Sequence, residues 1–180
     1  MLAKAAQPLQ RAHLRRRPPS AQPVRLHLIL LDVSGSMRQR GRLALAKGHV
    51  MQLIEEAARV GDDVGLLCFG GRGVELLLPP ARARAVGSAR VGRVGGGGGT
   101  PLAEALTQAE RLLRRAAQRD SSTESWLWLL TDGRTLEQPA QPQAPRHVVI
   151  VDFDDPLRCI GRCGAWAARW SAEHRIASQP

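Results

Sequence analysis

The sequence predicts an α/β fold: a doubly wound, mostly parallel sheet with one antiparallel hairpin at its edge. Three observations predict it. Nearly continuous apolar runs of strand length recur at 26–31, 63–69, 125–131 and 147–153, as strands buried on both faces require. Between them lie stretches whose apolar residues recur at three and four, the period of an amphipathic helix. One pair of strands is separated only by Gly70-Gly71-Arg72-Gly73, a turn that suits a hairpin and is too short for a parallel crossover. Strands alternating with helices, plus one hairpin, define this class.

Each element can be justified in order. Residues 1–23 combine a charge run with Pro18, Pro19 and Pro23 and read as a basic flexible tail. The folded domain is expected over 24–180. His27, inside the first apolar run, reads as packing near a strand start rather than as a ligand. Leu43, Ala46, Val50, Leu53, Ile54 and Ala57 mark a helix over 43–59 that Gly61 ends. Residues 74–78 form the second arm of the hairpin, and Pro79-Pro80 should stop it. Residues 81–92 read as a weak helix, and 95–99 as a five-glycine loop. Thr100 is expected to cap a helix whose first residue is Pro101. Leu102, Ala105, Leu106, Ala109, Leu112 and Leu113 supply its apolar stripe to about residue 119. In the third run Trp126 and Trp128 share one face and Leu127 and Leu129 the other. Residues 134–146 read as an irregular loop. A helix over 162–170 should pack Trp166 and Trp170, and 173–177 a last short strand.

Composition narrows the function classes. A chain of 180 residues with 43% hydrophobic residues suits one domain with a substantial core. No apolar run approaches the roughly 20 residues that span a bilayer. The basic N-terminus has no apolar stretch behind it, as a secretory signal would, and its prolines argue against an organellar transit peptide. Cys68, Cys159 and Cys163 cannot pair completely, so reduced thiols in a cytoplasm are expected. Cys159 and Cys163 with His174 offer at most three zinc ligands, fewer than a closed site needs, and the cysteines read instead as small buried side chains. The formal net charge is +10. Lys4, Arg11, Arg15, Arg16, Arg17 and Arg25 face no acid in the first 25 residues, which leaves +4 for the rest. Such an arm could touch nucleic acid or an acidic protein, but no aromatic residues are interleaved with it for base stacking.

The chemistry-bearing stretch is Asp32-Val33-Ser34-Gly35-Ser36-Met37, directly after the first apolar run. It delivers one carboxylate and two hydroxyls at alternate positions to the carboxyl end of a strand. Thr100, after the glycines, and Asp132, after the third run, sit where they could complete the set. In open α/β sheets ligands bind at the carboxyl ends of strands, so these distant residues can converge. Oxygen ligands with one or two carboxylates suit Mg2+, and Mn2+ is possible. Two carboxylates only balance a divalent charge, which favours an anionic ligand from outside. Capping of the following turn is the plainer account of Asp32, Ser34 and Ser36 taken alone.

In this order, Asp32-x-Ser34-x-Ser36, Thr100 and Asp132 resemble the metal-ion-dependent adhesion site (MIDAS) of von Willebrand factor A domains. The resemblance implies their Rossmann-like fold and these five residues as metal ligands. Several segments are more closely similar to the C-terminal A domain of the magnesium chelatase D subunit and its cobaltochelatase relatives. They are Leu31 to Met37, Ala46-Lys47-Gly48, Phe69-Gly70-Gly71, Leu76 to Pro80, Gly97 to Ala103, and Val149 to Asp152 before Trp166-Ala167. That resemblance implies an accessory component of a magnesium or cobalt chelatase, in tetrapyrrole or cobalamin biosynthesis. The expected partners are an AAA+ ATPase subunit and the large chelatase subunit, with a partner Asp or Glu completing the metal shell. The sequence has no AAA+ module, phosphate loop or acidic linker of its own, so a separately encoded motor is expected. A generic A-domain adaptor for an unrelated AAA+ motor is the alternative. Catalysis of its own is not expected, because Ser34 and Ser36 lie in no Gly-x-Ser-x-Gly elbow.

Overall fold

The computed structural model describes residues 24–71, 73–84, 100–155 and 157–177. Among them, six strands form one sheet in the order β3-β2-β1-β4-β5-β6. The strands are β1 (Arg25–Asp32), β2 (Asp63–Gly70), β3 (Gly73–Arg82), β4 (Glu124–Thr131), β5 (His147–Asp152) and β6 (Glu173–Ile176). All neighbours are parallel except β2 and β3. The helices are α1 (Arg42–Val60), α2 (Leu102–Arg119) and α3 (Arg162–Trp170), with a short 3-10 turn at Gln39–Gly41 before α1. The expected doubly wound sheet with one edge hairpin is therefore present.

The alternation of side chains along central β1 divides the core in two. Leu26, Leu28 and Leu30 join Leu127, Leu129 and Ile150 under α2 and α3. Ile29 and Leu31 face the other way, with Trp128 and Val149, under Ala46, Val50 and Ile54 of α1. Trp126 packs at the margin of that second layer, so the face assignment of both strand tryptophans holds. Trp166 and Trp170 are core residues of the first layer, their rings stacked 6.0 Å apart.

His27 also packs as expected. Trp128 Nε1 donates to its Nδ1 at 3.1 Å. An indole nitrogen can only donate, so the imidazole proton sits on Nε2, facing Asp62 Oδ2 at 3.4 Å. Burial holds the His27 pKa below its ordinary value, against the opposing pull of Asp62.

Four expectations need correction. Pro79-Pro80 does not end the hairpin, because β3 runs on to Arg82. As an edge strand with a register shift between Val64 and Leu66, it tolerates prolines that donate no hydrogen bond. The helix expected over 81–92 gives way to strand at Ala81 and Arg82, and 85–99 lie outside the described residues, as does the tail at 1–23. Helix α2 begins one residue late, with Pro101 rather than Thr100 at the N-cap position. Of the cysteines, Cys68 and Cys163 are buried, but Cys159 is exposed.

The sheet also shapes the loop after β1. A Cβ on Gly70 would stand 2.9 Å from Val33 Cγ2 and 3.1 Å from the Val33 carbonyl carbon. Val33 N is meanwhile tied to Phe69 O at 2.9 Å. Gly70→Val therefore pushes on the backbone of the Asp32–Ser36 stretch. We expect a loss of about 1–3 kcal/mol in urea denaturation. An unchanged midpoint would mean that Val33 moves freely.

Candidate metal site

Strand alternation brings the first two groups together. Asp32 and Thr131 end adjacent parallel strands and face the α2/α3 side. Thr131 Oγ1 donates to Asp32 Oδ2 at 2.6 Å and accepts from Gly133 N at 3.1 Å. Ser34 N donates to the other oxygen, Asp32 Oδ1, at 2.8 Å. Asp132 repeats the same turn, its Oδ1 accepting from Arg134 N at 3.1 Å. Each carboxylate is thus fixed by the backbone two residues on, which aims its remaining lone pairs. The Ser34 and Ser36 hydroxyls lie 3.2 Å apart. Asp32, Ser34 and Asp132 are buried.

Thr100 stands at the start of α2. The loop after β4 reaches that point, where Glu137 Oε2 accepts from Ala103 N at 2.7 Å. The Thr100 carbonyl accepts from Leu102 N at 2.8 Å.

The two carboxylates differ electrostatically. Among the described residues, Asp32 receives neutral donors, and burial pushes its pKa up to about 6, with the nearby Asp132 charge adding to the rise. Asp132 is instead matched by arginines. Arg42 Nη1 lies 3.2 Å from its Oδ2, and Arg134 Nε lies 3.9 Å away. Arg134 also bonds Asp154 at 2.8 Å and the Arg158 carbonyl at 3.0 Å, tying the loops after β4 and β5 together. Thr131, Arg42 and Arg134 were not singled out from sequence. Thr131 precedes Asp132 on an apolar strand, which is a usable signal, whereas nothing local to Arg42 points 90 residues ahead.

Among the described residues, no group of three or more His, Cys, Asp and Glu side chains is arranged to hold a metal ion. Any cation at this edge would depend on the serine and threonine hydroxyls as much as on Asp32 and Asp132. That all-oxygen donor set, with one buried carboxylate that has no cationic partner among the described residues, fits a hard ion such as Mg2+.

The model of the von Willebrand factor type A domain matches residues 27–134, more than half of the chain. The chain belongs to the von Willebrand factor type A family. This A domain is 41% identical over 110 residues to the magnesium-chelatase 60 kDa subunit of Cereibacter sphaeroides, covering 61% of the chain and 19% of that protein. It is 38% identical over 119 residues to the magnesium-chelatase 67 kDa subunit of Heliobacterium mobile, covering 66% and 17%. The chain therefore spans less than a fifth of the length of these two relatives. The von Willebrand factor type A structure from Catenulispora acidiphila overlays 87% of the chain and 39% of its own with a TM-score of 0.67, at 23% identity. That likeness establishes the fold alone. Among the described residues, no helix is long and apolar enough to cross a membrane.

Proposed function

We propose that this A domain is a non-catalytic, Mg2+-dependent interaction module of a chelatase-type complex in the cytoplasm. Asp32, Ser34, Ser36, Thr100 and Asp132 would hold the ion, directly or through water, with Mn2+ able to replace Mg2+. An Asp or Glu of a separate AAA+ ATPase subunit would complete the coordination shell, and the complex would include the large chelatase subunit. The 24–180 segment would act as the domain and 1–23 as its tail.

The observation that carries this reading is the gathering of two carboxylates and two serine hydroxyls at one sheet edge, in a chain similar to magnesium-chelatase subunits. Its surroundings suit docking. Leu136, Leu157 and Ile160 are exposed on the loops after β4 and β5, beside the Arg134 tie. Apolar side chains in water next to a charged centre fit a protein partner better than a small ion alone.

The test is capture of a chelatase-type AAA+ ATPase from the same genome by the immobilised chain. Recovery is expected in Mg2+, and at least tenfold less in EDTA or with Asp32→Ala. Equal recovery under all three conditions would sink the reading. Mg2+-dependent capture of an unrelated AAA+ motor alone would move the chain to the generic adaptor role.

A further inference from the structure

We infer that Arg42 makes cation binding at this edge depend on an incoming carboxylate. The inference rests on the reading of Asp32, Ser34, Ser36, Thr100 and Asp132 as the ion's ligands.

Arg42 is the first residue of α1, and that helix has no acidic residue in its first turn. A cation there opposes the positive end of the helix dipole. Its side chain is nevertheless only 12% exposed, with Nη1 3.2 Å from Asp132 Oδ2. Helix electrostatics and burial both disfavour this placement, and Asp132 is the group that compensates it.

The consequence is a charge count. Asp32, Asp132 and Asp154 supply three negative charges, and Arg42 and Arg134 two positive ones. A divalent ion turns that deficit of one into a surplus of one. One external carboxylate restores neutrality. Without Arg42, the ion alone would neutralise the cluster, and an outside anion would strengthen ion binding less. A fixed guanidinium beside Asp132 thus weakens ion binding when no carboxylate is present. It strengthens the mutual dependence of ion and carboxylate, which is reciprocal by linkage. The incoming ligand is a protein carboxylate, the chemistry the proposed function calls for.

Mg2+ titrations of the melting temperature of the whole chain test this, in chloride and in acetate at equal ionic strength. In chloride, Arg42→Gln is expected to bind Mg2+ about tenfold more tightly than the native chain, a modest value for one nearby unit charge. Arg42→Lys keeps the charge and should behave like the native chain. Acetate should tighten Mg2+ binding to the native chain several times more than to Arg42→Gln. A folded Arg42→Gln that binds Mg2+ equally or more weakly overturns the inference, because Arg42 would then merely hold Asp132 in place. A native chain indifferent to acetate overturns it without any variant. If Asp32→Ala responds to Mg2+ as the native chain does, it is the underlying ligand assignment that fails.

Discussion

Asp32→Asn is expected to stabilise the protein by about 2 kcal/mol in Mg2+-free buffer at neutral pH, and to abolish stabilisation by Mg2+. Asp32 is fully buried, and its pKa stands at about 6 against an ordinary 3.8. That difference corresponds to roughly 3 kcal/mol favouring the protonated form. Because the raised pKa belongs to the folded state, the native chain holds this proton more tightly than the unfolded chain. The Asp32 contribution to stability therefore falls as pH rises from about 4 to about 6, and stays low above that. Asparagine removes the buried charge while retaining an oxygen for Ser34 N, but its amide meets Thr131 Oγ1 less well than the carboxylate does. The net gain is thus smaller than the full cost of ionisation. Under the proposed ligand assignment, saturating Mg2+ reverses the ranking. An ion at a hundred times its Kd adds about 2.7 kcal/mol to the native chain and nothing to the variant. Urea denaturation between pH 4 and 8, with and without Mg2+, reads both effects. A variant less stable than the native chain in EDTA at pH 7 would show that Asp32 is not held at a cost to the fold.

The same residues explain what could be read from the sequence and what could not. Runs such as Leu28-Ile29-Leu30-Leu31 are buried on both faces, so their composition declares them strands before any partner is known. The stripe on α2 is equally plain, because solvent covers its other side. The gathering of Asp32, Ser34, Ser36 and Asp132 was legible because strand ends are where this class of sheet presents side chains. Pro79-Pro80 misled because a proline's effect depends on edge or centre, a property of the whole sheet. Arg42 was invisible for a similar reason. Its partner Asp132 lies just past a strand and reaches it only after the sheet has formed.

Trp166→Ala is expected to cost about 3–5 kcal/mol, the range for removing a buried tryptophan side chain and leaving its cavity. Trp166 is 2% exposed and stacks on Trp170 at 6.0 Å with 9° between ring planes. It lies in the same core layer as Leu28, Leu30 and Leu127 of the central strands, although the family match ends at residue 134. The segment beyond that match therefore supports the sheet instead of decorating it. It also buttresses the site. Cys163, one turn before Trp166 on α3, places its Sγ 3.8 Å from the Thr131 carbonyl. A Cβ on Gly133, whose φ is +65°, would come within 3.0 Å of that sulfur. Loosening α3 thus reaches the turn that carries Asp132. The urea midpoint should fall with little change in slope, since a lower midpoint at constant slope marks lost stability rather than an altered unfolded state. Trp166→Phe, which keeps a ring in the stack, should recover a substantial part of the loss. A cost below about 1 kcal/mol for the alanine variant would mean that α3 repacks around the gap, and that the turn at Asp132 stands without it.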